Sequence, residues 1–348
     1  MGIRQGTYGS QGKDAQKVLI KNKGKENMTS KKQQPWKMMC QNTNRLITEN
    51  SKEKITELTE YTDDNGVLLM NLTETWLEQK IQHDEIIAGY QVLRCDRRDR
   101  VGGGVAIYVK DSYEARLIST ANTRSCEMIA VHIEKINVIN IVIYRPPGAI
   151  MSEFSPILEE VENILVNMKK PNPTVIITGD FNFPSVEWKR GQDGGCRWKL
   201  KKGKGEGNLE VTQFMKLNDI ADRYSLVQVI EEHTHRHNTL DLVFTNEIEM
   251  ILQVDVTYDP SFSDHSRIEL ITNIKNNDNR KAECNVGHWE VSPLGQLNFR
   301  HIDIDWVQLN REIDNIQWEA LFNGKDANEC TEIFMGILEL VCKDVIPK

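Results

Sequence analysis

Short apolar runs rich in Val and Ile alternate with stretches of helical period from Trp36 onward, the rhythm of an α/β fold. Runs bounded by Gly, Pro, Asn or Asp predict strands over 36–41, 66–73, 104–109, 127–133, 138–144, 174–178, 239–245 and 266–271, enough for one large sheet or two. A helix is predicted over 156–169, with Ser155 as N-cap, Pro156 at the first helical position, and Ile157, Val161, Ile164, Leu165 and Met168 on one face. A second fits 209–224, where Phe214, Leu217, Ala221 and Tyr224 form the stripe. Between them, segment 189–204 carries seven basic residues against Asp193, with four glycines, and reads as a long mobile loop.

The two ends are built differently. Residues 1–35 hold few apolar side chains, too few to offset the entropy of ordering, and read as a disordered basic tail. Charge marks the same boundary: residues 1–38 carry nine Lys/Arg against Asp14 and Glu26, a net of +7 in a chain of net −8, which leaves −15 for the rest. Such a tail is read either as a nucleic-acid-binding arm or nuclear-import signal, or as a merely solvated segment. After about residue 274 the composition turns polar through NIKNNDNRKAE, and Ile333, Phe334, Ile337, Val341 and Val345 then mark an amphipathic helix stopped by Pro347. The division expected is a tail over 1–35, a main domain over 36–274, and a linker with a helical segment over 275–348.

No apolar run approaches the roughly 18 residues of a membrane span, so no membrane partner is expected. The N-terminus lacks a secretory apolar region, and Gly6 stands where myristoylation requires Ser or Thr, which predicts an intracellular protein. Seven scattered Cys with no C-x-x-C pair argue for reduced thiols over a disulfide framework or structural zinc site.

Chemistry at the end of a buried strand appears as acids and amides that directly follow an apolar run, and this happens three times. Val175, Ile176 and Ile177 lead into Gly179-Asp180-Phe181-Asn182; Leu68 to Leu72 lead into Thr73-Glu74-Thr75-Trp76; Ser263-Asp264-His265 opens the strand with Ile268 and Leu270. Carboxylates disfavour strand interiors, so their convergence suggests a hard divalent cation such as Mg2+, held by one or two carboxylates and by substrate phosphate oxygens. Each alone would be an ordinary turn or cap residue. Strand period places Leu240, Leu242 and Phe244 on one face and Asp241 on the other, free to orient a histidine.

Asn42, TETWL around Glu74, GGGVAIYV, YRPP from Tyr144, GDFNFPSVEW, NTLDLVFTN and SDH occur in the order found in the endonuclease/exonuclease/phosphatase superfamily. More narrowly they resemble the apurinic-type endonuclease domain of non-LTR retrotransposons, over about residues 36–274. The abasic-repair branch has Asn three residues after the Tyr, where Pro147 stands here, which favours the retrotransposon branch. The resemblance implies a four-layer α/β/β/α sandwich of two packed mixed β-sheets flanked by helices, followed by a small C-terminal helical segment. It implies Glu74 as the main metal carboxylate, with Asn42 and Asp264 on the metal side. Asp180 would align or deprotonate the attacking water, Asn182 hold water and scissile phosphate, Tyr144 supply a phosphate-side hydroxyl, and Asp241 orient His265, which would stabilise the transition state. Thr234 and Ser263 match polar positions near the DNA backbone.

The implied activity is a DNA endonuclease dependent on Mg2+, or Mn2+ in its place. It would nick target DNA to leave a 3′-hydroxyl, with a reverse transcriptase or element RNA as further partners and a nuclear setting. In such elements, 275–348 would lead toward a reverse transcriptase that this sequence does not include. The basic residues Lys189, Arg190, Arg197, Lys199, Lys201 and Lys202, with Trp198 among them, are candidate DNA contacts. Two other readings compete: a phosphatase or phosphodiesterase of the same superfamily, and a non-catalytic DNA-binding remnant. His233, His235 and His237 alternate and could line one face as zinc ligands, but an exposed, DNA-facing segment is the preferred reading.

Overall fold

The computed structural model describes residues 15–19, 35–47, 53–78, 87–98, 100–168, 172–203, 208–273 and 306–346. Thirteen of its strands form two sheets. The first runs β1 (Ala15–Leu19), β14 (Ile251–Thr257), β15 (Arg267–Thr272), β2 (Trp36–Asn42), β3 (Val67–Thr73), β5 (Val105–Lys110), β4 (Tyr90–Cys95). The second runs β12 (Val227–Gln228), β13 (Asp241–Thr245), β9 (Thr174–Asp180), β8 (Val138–Tyr144), β7 (Glu127–Ile133), β6 (Arg116–Asn122). Each is mixed, with β2–β3 and β8–β9 parallel and their other neighbours antiparallel. Ala15–Leu19 pairs antiparallel with β14 where a disordered tail was expected, covering backbone groups an edge strand would leave unpaired. The rest of 1–34 and the polar joint lie outside the described residues.

Strands buried on both faces explain the continuous apolar runs. Between the sheets lie Met38, Leu69, Ile107 and Leu270 of the first and Ile129, Val131, Val142, Ile176 and Val243 of the second. The first sheet's outer face packs Met39, Met70, Leu72 and Tyr108 against Ile55 and Leu58 of α1 (Glu53–Asn65). The second packs Ile141, Ile143, Ile177 and Phe244 against α2 (Met151–Val166) and α3 (Leu209–Arg223). The order of layers is α/β/β/α, as the resemblance implied.

Helix α2 begins one turn before the expected start, so Pro156 lies inside it. The Phe154 and Glu153 N–H groups bond the Ile150 carbonyl, and Phe154 joins Ile157, Leu158 and Val161 in the core; this buried stripe outweighs the one N–H that proline lacks. Helix α3 matches its expected range, with the Asn208 side chain accepting from the Glu210 N–H as N-cap.

The expected loop over 189–204 is largely a β-hairpin, β10 (Val186–Arg190) and β11 (Cys196–Leu200). Trp188 sits opposite Trp198, and Val186, Trp188 and Cys196 are buried with Phe214 and Phe244. The alternation C-R-W-K-L carried that strand signal. Trp198 is half-buried and meets Phe214 edge-on at 5.0 Å, so its ring packs against the margin of the core.

At the C-terminus, α4 (Trp306–Asp314) and α6 (Ala327–Val345) share a cluster with Leu309, Cys342 and Ile346, and the short α5 (Trp318–Phe322) lies between them in the chain. Trp318 stacks on Phe322 and tilts against Phe334. Among the described residues no helix is long and apolar enough to cross a membrane, and the six described cysteines are free.

Candidate active site

Sheet register brings the polar strand ends together. Across β8, β9 and β13, Tyr144 pairs with Asp180 and Asp180 with Asp241, so three neighbouring strands place these side chains on one rung. In the facing sheet, Asn42 pairs with Thr73, and Glu74 follows at once. Asn42 then bridges the sheets: its Nδ2 donates to Asp180 Oδ2 at 3.0 Å and to Glu74 Oε1 at 3.2 Å. Tyr144 donates its hydroxyl to Glu74 Oε1 at 2.8 Å. Close strand packing makes this possible, because a Cβ at Gly179 would lie 1.8 Å from the Ile143 carbonyl oxygen.

Asp180 is fully buried, and its Oδ1 accepts the Asn182 N–H at 3.2 Å. Burial, then the Asp241 and Glu74 carboxylates, raise its pKa well above the ordinary value. His265 Nδ1 lies 2.7 Å from Asp241 Oδ2. Burial works against charge on His265, but Asp241 beside it overrides that and raises the ring to about 10, an imidazolium at neutral pH. Burial and the nearby Glu74 and Asp180 carboxylates push the Tyr144 phenol up, which keeps it a proton donor. Glu74 (φ 49°) and Asn182 (φ 51°) both adopt left-handed backbone, uncommon outside glycine and concentrated at functional sites.

The other expected residues fall in three places. Asp264 lies on the rim, where its Oδ1 accepts from Asn44 Nδ2 at 3.2 Å and its side chain is 54% exposed. Thr234 and Ser263 are buried: Thr234 Oγ1 accepts the Leu240 and Asp241 N–H groups, and Ser263 Oγ accepts the His265 N–H. Both therefore hold Asp241 and His265 in place instead of facing a DNA backbone. On the hairpin, Lys189 and Lys202 are exposed, Arg197 and Lys199 point outward beside Asp193 and Glu187, and Lys201 donates to Asn238 at 2.6 Å. Arg190 departs from expectation, because its guanidinium is largely covered and ion-paired with Glu231 and Glu232.

Three supporting residues were not given these roles from the sequence, His235 being read there only as one of three alternating histidines. Trp76 donates its indole N–H to Glu74 Oε2 at 3.2 Å. Arg145, 2% exposed, donates from Nη1 to the Phe181 and Asn182 carbonyls at 3.0 Å, stays bonded to Gln213, and stacks over Phe183. It fixes the turn that carries Asn182, whose own Nδ2 returns a bond to the Arg145 carbonyl. His235 stacks on His265 with centroids 4.5 Å apart and planes 22° apart. Trp76 and Arg145 lay inside the quoted TETWL and YRPP motifs, while His235 lay in the alternating histidines.

The donors suit a hard cation. Glu74 and Asp180 present carboxylate oxygens, spanned by the Nδ2 of Asn42, whose Oδ1 accepts the Asn44 N–H. Asp180, Asp241 and His265 also place ligand atoms within 4.8 Å of one another.

Residues 138–269 match the family described as endonuclease-reverse transcriptase. No curated protein sequence matches the chain. Among solved structures, the AP endonuclease LMAP from Leishmania major is 12% identical with a TM-score of 0.50, covering 69% of this chain and 88% of its own. The endonuclease domain of TRAS1, a telomere-specific non-LTR retrotransposon, is 15% identical with a TM-score of 0.49, covering 69% and 99%. An AP endonuclease from Archaeoglobus fulgidus is 13% identical with a TM-score of 0.46, covering 69% and 100%. With two facing mixed sheets between helical layers and the polar strand ends gathered at one edge, the chain has the fold of the endonuclease/exonuclease/phosphatase superfamily.

Proposed function

We propose that the protein is a Mg2+-dependent DNA endonuclease of the retrotransposon type, which hydrolyses a phosphodiester bond in target DNA to leave a 3′-hydroxyl. The observation that carries this is the bridge from Asn42 to Glu74 and Asp180 beside the Asp241–His265 pair. Hydrolysis without a covalent intermediate needs an aligned water, neutralised phosphate oxygens and support for the leaving alkoxide. Glu74 and Asn42 would hold the cation, with Asp264 nearby on the rim. When bound, the cation would neutralise charge on the phosphate. Asp180 would orient and deprotonate the water, a role supported by its raised pKa, which makes it a better proton acceptor than an ordinary carboxylate. Asn182 would hold the water and phosphate. Tyr144 keeps its proton and donates to a phosphate-side oxygen. The His265 imidazolium, held charged by Asp241, balances negative charge that grows in the transition state.

Supercoiled plasmid offered with Mg2+ should become open circle, and EDTA should abolish the change. Release of inorganic phosphate from inositol phosphates with no plasmid nicking would favour the phosphatase reading instead. A nuclear setting, and a reverse transcriptase or element RNA as partners, follow from this reading.

The outward face of the hairpin is proposed to grip the DNA backbone through Lys189, Arg197, Lys199, Lys201 and Lys202. Lys201 ties its end to Asn238, in the turn that also holds His235 against His265. Replacing Lys189, Lys199 and Lys202 with Gln should flatten the salt dependence of binding by about 0.9 log units per lost phosphate contact. A titration of DNA affinity against KCl reads this directly, and an unchanged slope removes the hairpin from the interface.

Residues 275–348 are proposed to be accessory. A chain ended at residue 274 should unfold in one cooperative step and nick DNA as the full chain does. Loss of solubility or activity on that truncation would place the C-terminal helices within the nuclease core.

A further inference from the structure

We infer that His235 is a positioning residue, a flat plate that fixes the ring of His265 in the orientation the reaction needs. The inference rests on the proposed nuclease reading for its kinetic consequence, but its structural content stands on geometry alone. The Nδ1 bond to Asp241 holds His265 along one edge, and the main chain is held by the His265 N–H to Ser263 Oγ and by Gln41 Nε2 to the His265 carbonyl. An edge bond leaves one soft motion, a rocking of the ring about the Nδ1···Oδ2 line, and that motion redirects the opposite ring nitrogen. A second ring lying flat at 4.5 Å opposes it.

His235 is itself anchored. Its backbone exchanges N–H and carbonyl bonds with Asn238, both at 3.0 Å, and the preceding Thr234 is wholly buried with its carbonyl accepting the Ser266 N–H. On the side-chain side, Nε2 lies 3.4 Å from Asp264 Oδ2, and Asp264 is held in turn by Asn44. Asn44 donates its N–H to Asn42 Oδ1, the same amide that spans Glu74 and Asp180. The plate is thus fastened to both sheets.

The test compares His235→Ala with His235→Phe in the full chain. Ala should lower kcat by about tenfold with KM unchanged, because ring orientation and not DNA binding is lost; Phe keeps the flat face and should restore kcat to within about threefold of the wild type. In parallel, carbon-13 NMR of the His265 ring should show its signal shifted and broadened in the Ala variant and near its original position in the Phe variant. Phe as impaired as Ala would mean that the polar edge of His235 acts, and would overturn the inference. So would an unaltered His265 signal in the Ala variant. The NMR comparison needs no turnover, so a wild-type protein that failed to nick DNA would refute the nuclease reading while leaving the ring contact to be judged on its own signal.

Discussion

Asp180→Asn should lower plasmid nicking by roughly 10²-fold or more, since aligning the water and accepting its proton both depend on that carboxylate. The fold should survive. Asn has the same shape, and an amide oxygen at this position can still accept from Asn42 or from the Asn182 N–H. Stability should respond in a way that activity cannot report. A carboxyl whose pKa is raised in the folded state holds its proton there after the unfolded chain has lost it, so the native state binds more protons and stability falls as pH rises. For Asp180 that decline starts at the ordinary carboxyl value of 3.8 and continues up to its raised native pKa. Denaturation in EDTA across this range should show the decline in the wild type and a flatter profile in Asp180→Asn. Near-wild-type nicking by the variant would remove Asp180 from the mechanism, and parallel stability profiles would show that its proton is not held by the fold.

Legibility in the sequence followed burial. Strands β3, β7, β8 and β9, covered on both faces, read as continuous apolar runs and were found close to their true ends. Strands β4, β6 and β14 escaped because they are half-exposed and mix polar with apolar residues, RLISTAN in β6 being the extreme. Helix α1 escaped for a similar reason: only Ile55, Leu58 and Thr62 are buried in a segment otherwise acidic and polar. In the hairpin, outward Lys and Arg hid the inward alternation of Val186, Trp188 and Cys196.

The site divides along a different line. Acids and amides that end an apolar run announce themselves, because such residues have no place in a strand interior; Glu74, Asp180 and Asn182 were legible for that reason. Residues that act through another side chain leave no such mark. Arg145 is a cation buried against carbonyls and an aromatic ring, with no carboxylate bonded to it among the described residues, and only the fold brings Phe181, Asn182 and Gln213 to it. His235 meets a histidine 30 positions further on only because the turn closed by Asn238 lies against the start of β15. Thr234 and Ser263 were expected at the DNA and are found inside, since a hydroxyl next to a functional residue serves equally to satisfy a backbone N–H.

Asp241→Asn carries the second large effect, because it removes the main support for the charge on His265. In the wild type, burial alone would hold the ring neutral, and the Asp241 carboxylate at 2.7 Å is what raises it to about 10. An amide keeps a hydrogen-bonding group in place but removes the charge, so the pKa of His265 should fall from about 10, with only the Asp180 and Asp264 carboxylates left to oppose burial. At neutral pH the ring then holds less of the charge that balances the transition state, and its orienting carboxylate is gone, so nicking should drop by roughly 10²-fold or more. Residual activity should climb as pH is lowered, a slope the wild type lacks between 6.5 and about 10. Stability follows the same sign. A raised histidine contributes stability that is fully present below 6.5 and is lost as pH rises through about 10, so Asp241→Asn should remove a decline that the wild type shows across that interval. His265→Ala should cost about as much activity as Asp241→Asn, and the double variant little more than either, because the two groups act as a unit. Losses that simply multiply in the double variant would mean that Asp241 serves the reaction by a route other than His265.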